Sequence, residues 1–312
     1  MASIRGLGRI GRIAAVIFGG ATVLMAVWAL LSWEDTFQTK PVDELAYLVC
    51  LLFALGCAAR AAASTRGRRR YGWLTLVVAL SAWALSEVIQ MFEEVGADES
   101  PWHPSFPQAV LMVVPIALYA CLLLLGDLET APRKRLVLDG VIVATSLFVV
   151  SWVCVLRNLS GEGASLTVLH ISLDIVLMST AILVWSRPLG RVSVTILAAG
   201  ITAIEMADIA SVYLAGVGGY HSGGLVDLIR VAGFGMLGFA ALFSVDERPV
   251  ETSMTDLQAG VRVWLPYLPL LAAGAAVIGF ELGHTGHEAL LVAEGILVVA
   301  VVLRQFFVLI EN

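Results

Sequence analysis

The chain has 312 residues, 59% of them hydrophobic and only 14% charged, and its mean hydropathy is +0.90. An ordinary soluble domain is nearer half apolar and a quarter charged, and a single globular core stops growing at about this length, so such an excess of apolar surface cannot be hidden in water. Disorder is excluded as well, because disordered chains have the opposite composition. What remains is an all-α polytopic membrane protein.

At the N-terminus, Arg5 and Arg9 precede an apolar run that ends at Trp33. That run is too long for the core of a signal peptide and no small-residue cleavage site follows it, so it reads as a first span. Crossing ~30 Å of hydrocarbon takes about 20 apolar residues, and about ten stretches are long enough: roughly 12–33, 43–64, 71–93, 106–127, 137–158, 166–186, 191–215, 224–245, 262–282 and 287–310. The connectors are short, so the chain reads as one integral-membrane domain, 1–312. The four cysteines, Cys50, Cys57, Cys121 and Cys154, all fall inside these runs and read as small packing residues.

Charge in the connectors orients the bundle. One alternating set holds Arg5 and Arg9; Arg66, Arg68, Arg69 and Arg70; Arg133, Lys134 and Arg135; Arg187; and Arg248. The other holds Lys40 among Glu34, Asp35, Glu93, Glu94, Asp98, Glu99 and Glu162. Lys/Arg excess marks the cytoplasmic side, which puts both termini in the cytoplasm and the chain in the cytoplasmic (inner) membrane. Trp33 and Trp102 fall at outer span ends, and Trp73, Trp185 and Trp264 at inner ones, as an aromatic belt predicts.

The two halves of the chain resemble each other at a displacement of 121 residues, which carries Arg66 onto Arg187, Arg70 onto Arg191 and Glu87 onto Asp208. SAWALSEVIQMF then lies over TAIEMADIASVY. Spans 2–4 (about 43–127) thus read as one copy of an internal repeat and spans 6–8 (about 166–245) as the other. Span 1 (about 12–33), span 5 (about 137–158) and spans 9–10 (about 262–312) lie outside it. Four spans separate the copies, so they run parallel, unlike the inverted halves of many transporters.

Ionisable residues inside a span are costly and usually face the bundle interior. Counted at 1.5 Å per residue, Glu87, Asp174, Asp208, Arg230 and Glu294 all fall about six to eight residues from the outer end of their spans. His170 and Asp174, Glu205 and Asp208, and Asp227 and Arg230 are each spaced to share one helix face. The short connector GVGGYHSGG makes spans 7 and 8 antiparallel neighbours, bringing Asp208 within reach of Arg230. Three readings stay open: an outward pocket for an unidentified small polar or cationic ligand, a polar network that holds helix register, or a proton or ion pathway, for which the inner depth offers only Asp139, beside Arg133–Arg135.

His103, His221, His284 and His287 lie in outer connectors, with His170 just beneath; imidazoles bind zinc or copper or sense pH, but most loop histidines are simply solvated. No Walker loop, GxSxG, HExxH or dinucleotide fingerprint occurs. No catalytic residue, cofactor or nucleic-acid partner is expected within 1–312. The run RGRRR is explained by the positive-inside rule, with the bilayer as partner.

The tenth span continues into Arg304, Phe306, Leu309 and Ile310 with no helix stop signal. These residues are the candidate signal output: a rod that pairs with its twin in a homodimer and continues into a longer polypeptide. PSFPQAVLMVVPIALYACLLLL, RLVLDGVIVATSLFVVSW, the MADIASVYL…GGLVDLIRVAGFGMLGFAALF hairpin and VLRQFFVLIEN resemble the multi-pass N-terminal membrane sensor region of actinobacterial-type GGDEF/EAL signalling proteins. The resemblance covers about residues 70–312. It implies a last span that leads through a coiled coil to cyclic-di-GMP synthesis or breakdown. Similar regions also precede histidine kinases. No GGDEF or EAL motif occurs in 1–312, so no active-site residue carries over. A receptor module is therefore the leading expectation, with a ten-helix transporter of small molecules or ions and a ligand-free membrane anchor as alternatives.

Overall fold

A computed structural model of the chain describes residues 40–95, 105–126, 133–154, 164–186, 191–216, 218–219, 224–246, 269–274, 295–297 and 299. They form α1 (Lys40–Ser64), α2 (Arg68–Val95), α3 (Ser105–Leu111), α4 (Val113–Leu125), α5 (Arg133–Cys154), α6 (Ala164–Ser186), α7 (Val192–Gly216) and α8 (Leu225–Asp246). No strand occurs among the described residues. The first span and most of the ninth and tenth lie outside them.

Tight turns dictate the neighbours. Between α1 and α2 only Thr65, Arg66 and Gly67 intervene, and Gly67 takes φ +63°, a left-handed conformation that costs glycine little. The end of α7 closes as a Schellman motif: Gly219 N–H donates to the Leu214 carbonyl at 2.8 Å and Gly218 N–H to that of Ala215 at 3.2 Å, with Gly218 at φ +70°. The glycines of GVGGYHSGG thus begin with a helix terminator. At the opposite end of the bundle Arg68 Nη2 donates to the Leu123 carbonyl at 2.8 Å, tying the start of α2 to the last turn of α4.

The fourth expected span is interrupted at one residue, whose backbone stays helical (φ −60°, ψ −22°). Met112 separates α3 from α4, three residues before Pro115. Proline has no N–H for the carbonyl one turn earlier and its ring crowds that carbonyl, so a continuous helix across Leu111 and Pro115 is disfavoured. Ser86 Oγ on α2 donates to the Pro107 carbonyl at 3.2 Å and accepts from Gln90 Nε2 at 3.1 Å, which holds the short α3 against α2.

Six helices close into a ring: α1 packs on α2, α2 on α4, α4 on α6, α6 on α7, α7 on α8, and α8 back on α1. One continuous apolar core lies inside it, with Trp73, Leu76, Leu118, Leu177, Leu197 and Phe234 among its members. The seams between α7 and α8 and between α1 and α8 are extensive, whereas that between α4 and α6 is thinner. At the α7–α8 seam Gly200 and Gly233 let the backbones meet directly, as small residues do between membrane helices. Helix α5 stands outside the ring: Val143 packs with Met178 and Ile182 of α6, while Val149 and Val153 pack with Ala273.

The outer surface of the ring is apolar too. Val49, Leu52, Val78, Leu85, Ile116 and Met206 are exposed, so the helices have no polar side to turn to water. Helices α1, α2, α6, α7 and α8 each carry a stretch long and apolar enough to cross a membrane, and the fold is that of an all-α membrane protein. Trp73, near the start of α2, is 1% exposed and belongs to the apolar core, so its ring faces the bundle interior.

Candidate functional site

The α6 and α8 helices begin, and α2 and α7 end, at one end of the ring, and the charged residues of the spans cluster towards it. Arg230, in the second turn of α8, is the hub. Its Nε donates to Asp208 Oδ1 of α7 at 2.8 Å and its Nη1 to Asp227 Oδ1 at 2.9 Å, while Nη2 donates to Ser211 Oγ at 3.2 Å. The guanidinium fork is thus used on three sides, a geometry that lysine cannot reproduce. The side chains of Arg230, Asp227 and Asp208 are only 14%, 18% and 19% exposed, a partly desolvated ion network. Asp227 also lies in the first turn of α8, where the helix dipole favours negative charge.

A second group lies one turn deeper. Glu205 precedes Asp208 by three residues, about 4.5 Å along α7. It is 2% exposed, and Asp174 of α6 is 3% exposed. The two carboxyl groups are within hydrogen-bond reach of each other. Glu205 Oε2 is buried with no hydrogen-bond partner, and a native structure leaves few such atoms without a reason. His170, one turn above Asp174, brings Nδ1 to 3.5 Å from Asp174 Oδ2 with its own side chain 27% exposed. Burial therefore increases from His170 through Asp174 to Glu205.

Aromatic rings border the cluster. Tyr47 of α1 meets Phe234 of α8 edge-on, with centroids 5.3 Å apart, and Trp83 of α2 meets the same ring at 4.9 Å. Trp83 Nε1 donates to Glu87 Oε1 at 3.2 Å, and Tyr47 lies within electrostatic reach of Glu87, Arg230, Asp208 and Asp227. Edge-to-face pairs add stabilisation beyond the area they bury. Here they fix the wall of the ring against which the charged groups are set.

Seven sequence-derived candidates are thus placed together: Glu87, His170, Asp174, Glu205, Asp208, Asp227 and Arg230. They are not at a single depth, since Asp174 and Glu205 lie below the Arg230 network. Glu294, the loop histidines His103, His221, His284 and His287, and the output residues Arg304, Phe306, Leu309 and Ile310 lie outside the described residues. Sequence reasoning misses Ser211, Tyr47, Trp83 and Phe234. Two of these carry a usable signal, because Ser211 is three residues after Asp208 and Trp83 four before Glu87, each on its partner's face. Among the described residues no three His, Cys, Asp or Glu side chains converge as a metal site.

Fold and site together define an all-α membrane protein with a partly buried charged layer across four helices. The chain matches no protein-family model, no curated protein and no solved structure.

Proposed function

We propose that the chain is the membrane-embedded sensory module of a signalling protein, which reads an extracytoplasmic or intramembrane cue at the charged layer and relays it by a change of helix packing. The observation that carries this reading is the imbalance of the layer. Asp174, Glu205, Asp208 and Asp227 share one guanidinium and one imidazole, Glu87 adds a further carboxyl on the far side of Tyr47, and the deepest carboxyl keeps an oxygen without a partner. Helix register is held by neutral hydrogen bonds at lower cost, whereas intramembrane ionisable groups of this kind mark sites of function.

The loop charges put the layer in the outer leaflet of a chain of about ten spans with cytoplasmic termini. The closed order α1–α2–α4–α6–α7–α8 supports a parallel repeat, each copy supplying three consecutive ring members around an axis along the membrane normal. The resemblance to GGDEF/EAL-associated sensor regions supplies the output. The tenth span, paired in a homodimer, passes the change to cyclic-di-GMP turnover on the cytoplasmic side. For such coupling the cue must bind the two packing states with different affinity.

The test is cellular cyclic-di-GMP, measured by mass spectrometry in bacteria making the native polypeptide, with wild type, Asp208→Asn and Arg230→Met matched for membrane abundance. A shifted level in both variants supports the reading, and three equal levels refute it. Sodium or tetramethylammonium flux into proteoliposomes that Asp208→Asn abolishes would replace the receptor with a transporter.

A further inference from the structure

We propose that Asp174 and Glu205 form a proton-binding dyad, two carboxyl groups that hold one proton between them, loaded and emptied through His170. The inference deepens the receptor reading by naming the ligand at its deepest point, and it rests on that reading only for what the proton controls.

The geometry is that of a site for a single positive charge. Glu205 is 2% exposed and its Oε2 has no hydrogen-bond partner, while Asp174, 3% exposed, lies within hydrogen-bond reach. Asp174 is ten residues into α6 and Glu205 eleven from the end of α7, about 15–17 Å by helical rise from the helix ends on the charged side. Two carboxylates facing each other at that depth are neutralised by a partner or held apart.

Among the described residues no lysine or arginine is available to them. Arg230 on α8 is committed to Asp208, Asp227 and Ser211. Apart from His170, the other described titratable groups on the charged side of the ring are acidic or neutral: Asp208 on α7 itself, Asp227 on α8, and, further round the ring, Tyr47 on α1 and Glu87 on α2. Helix α4 contributes only Tyr119 and Cys121. Asp139 of α5 precedes Gly140, which lies against Leu183 near the end of α6 and away from the pair. Among the described residues too few ligands converge for a metal ion. A proton needs no coordination shell and supplies the donor hydrogen that two carboxyl oxygens otherwise lack.

His170 gives the proton a route. It is the most exposed of the three and stands 3.5 Å from Asp174. Bulk water protonates the imidazole, Nδ1 passes a proton to Asp174 Oδ2, and the dyad goes from two negative charges to one. On release the proton returns to Nδ1 and leaves from the ring to water, so no other co-reactant is needed. Loading removes repulsion between α6 and α7, and emptying restores it. That is a ligand-dependent bias on the packing of two neighbouring ring helices, which a receptor requires.

Infrared difference spectroscopy of the full chain in lipid nanodiscs tests this directly. At about pH 7, inside the range where His changes charge, the wild type is expected to show a protonated-carboxyl carbonyl band that moves on transfer to D2O. That band is lost in the Asp174→Asn/Glu205→Gln double variant and kept in Asp208→Asn. Should the double variant fail to accumulate, the isosteric Glu205→Gln must shift the band. In His170→Ala the band keeps its intensity but exchanges with D2O more slowly. A band unchanged by the substitutions at Asp174 and Glu205, or one that sodium chloride removes at constant pH, overturns the proposal, the latter in favour of a metal cation. Exchange in His170→Ala as fast as in wild type overturns the route. Band loss with unaltered cyclic-di-GMP in Glu205→Gln would leave the dyad standing and remove the receptor reading. An unmoved band with altered cyclic-di-GMP would do the reverse.

Discussion

Gly200→Ala puts one methyl group into the seam where the α7 and α8 backbones meet. The new Cβ would lie 2.9 Å from Met236 Cβ, 3.0 Å from the Gly233 carbonyl oxygen and 3.3 Å from Leu237 Cδ2. Carbon atoms prefer about 3.5–4.0 Å, and the first two obstacles are fixed to the α8 backbone, so no rotamer change relieves them. Helix α8 must move away from α7 by about 0.5–1 Å, which forfeits a quarter to a half of each dispersion contact along the seam. Overpacking of this kind costs about 1–3 kcal/mol, against a gain of up to about 1 kcal/mol when alanine replaces a helical glycine. The net expectation is a loss of up to about 3 kcal/mol. Gly56 is the internal control. A Cβ there meets nothing within 4 Å, so Gly56→Ala should be neutral or up to about 1 kcal/mol more stable. Reversible denaturation of both variants in the same nanodiscs decides the matter. Gly200→Ala as stable as Gly56→Ala would refute the close seam, and with it the argument that α7 and α8 are held near enough to keep Arg230 at 2.8 Å from Asp208.

Three further outcomes follow from the same packing. Arg230→Ala strands Asp208 and Asp227 together and should cost about 3–5 kcal/mol; a double-mutant cycle with Asp208→Ala should show strong non-additivity, and additive losses would deny the pair. Phe234→Ala removes the ring shared by Tyr47 and Trp83, with an expected loss of about 3–5 kcal/mol and a collapse of the near-ultraviolet circular dichroism of Trp83; Phe234→Leu should lose less. Cys50, Cys57 and Cys121 are buried free thiols, so an aqueous maleimide should leave them unmodified until the protein is denatured, and prompt labelling of Cys121, 0% exposed, would contradict the described core.

Much of the charged layer can be read from linear spacing because helices impose it. Three and four residues bring side chains to one face, which is why His170 and Asp174, and Asp227 and Arg230, meet as their intervals imply. The Asp208–Arg230 pair is legible for a different reason: a short glycine-rich connector leaves α7 and α8 no choice but to lie side by side. Where contacts depend on helices that are not sequence neighbours, spacing carries no information. Tyr47 and Phe234 are separated by most of the chain and meet only because α8 closes the ring on α1. Trp73 stands one turn from a basic cluster, as an interfacial tryptophan does, but only the packing of α2 on α4 decides that its ring turns inward. The interruption at Met112 was encoded in Pro115, but a hydropathy window averages over it. Glu205 and Asp208 share a face, yet their difference of one turn separates a satisfied ion network from an oxygen with no partner.

The unequal seams of the ring give it a mechanical sense. Where α1 lies along α8 the two three-helix halves are bound over a long interface, and where α4 meets α6 they touch along a thin one. A body joined this way is a book: the α1–α8 side is its spine and the α4–α6 side its fore-edge. Any opening of one half against the other pivots at the spine and parts the fore-edge first. Helix α6, which carries His170 and Asp174, is the leaf at that edge, so it has the greatest travel for the least broken contact.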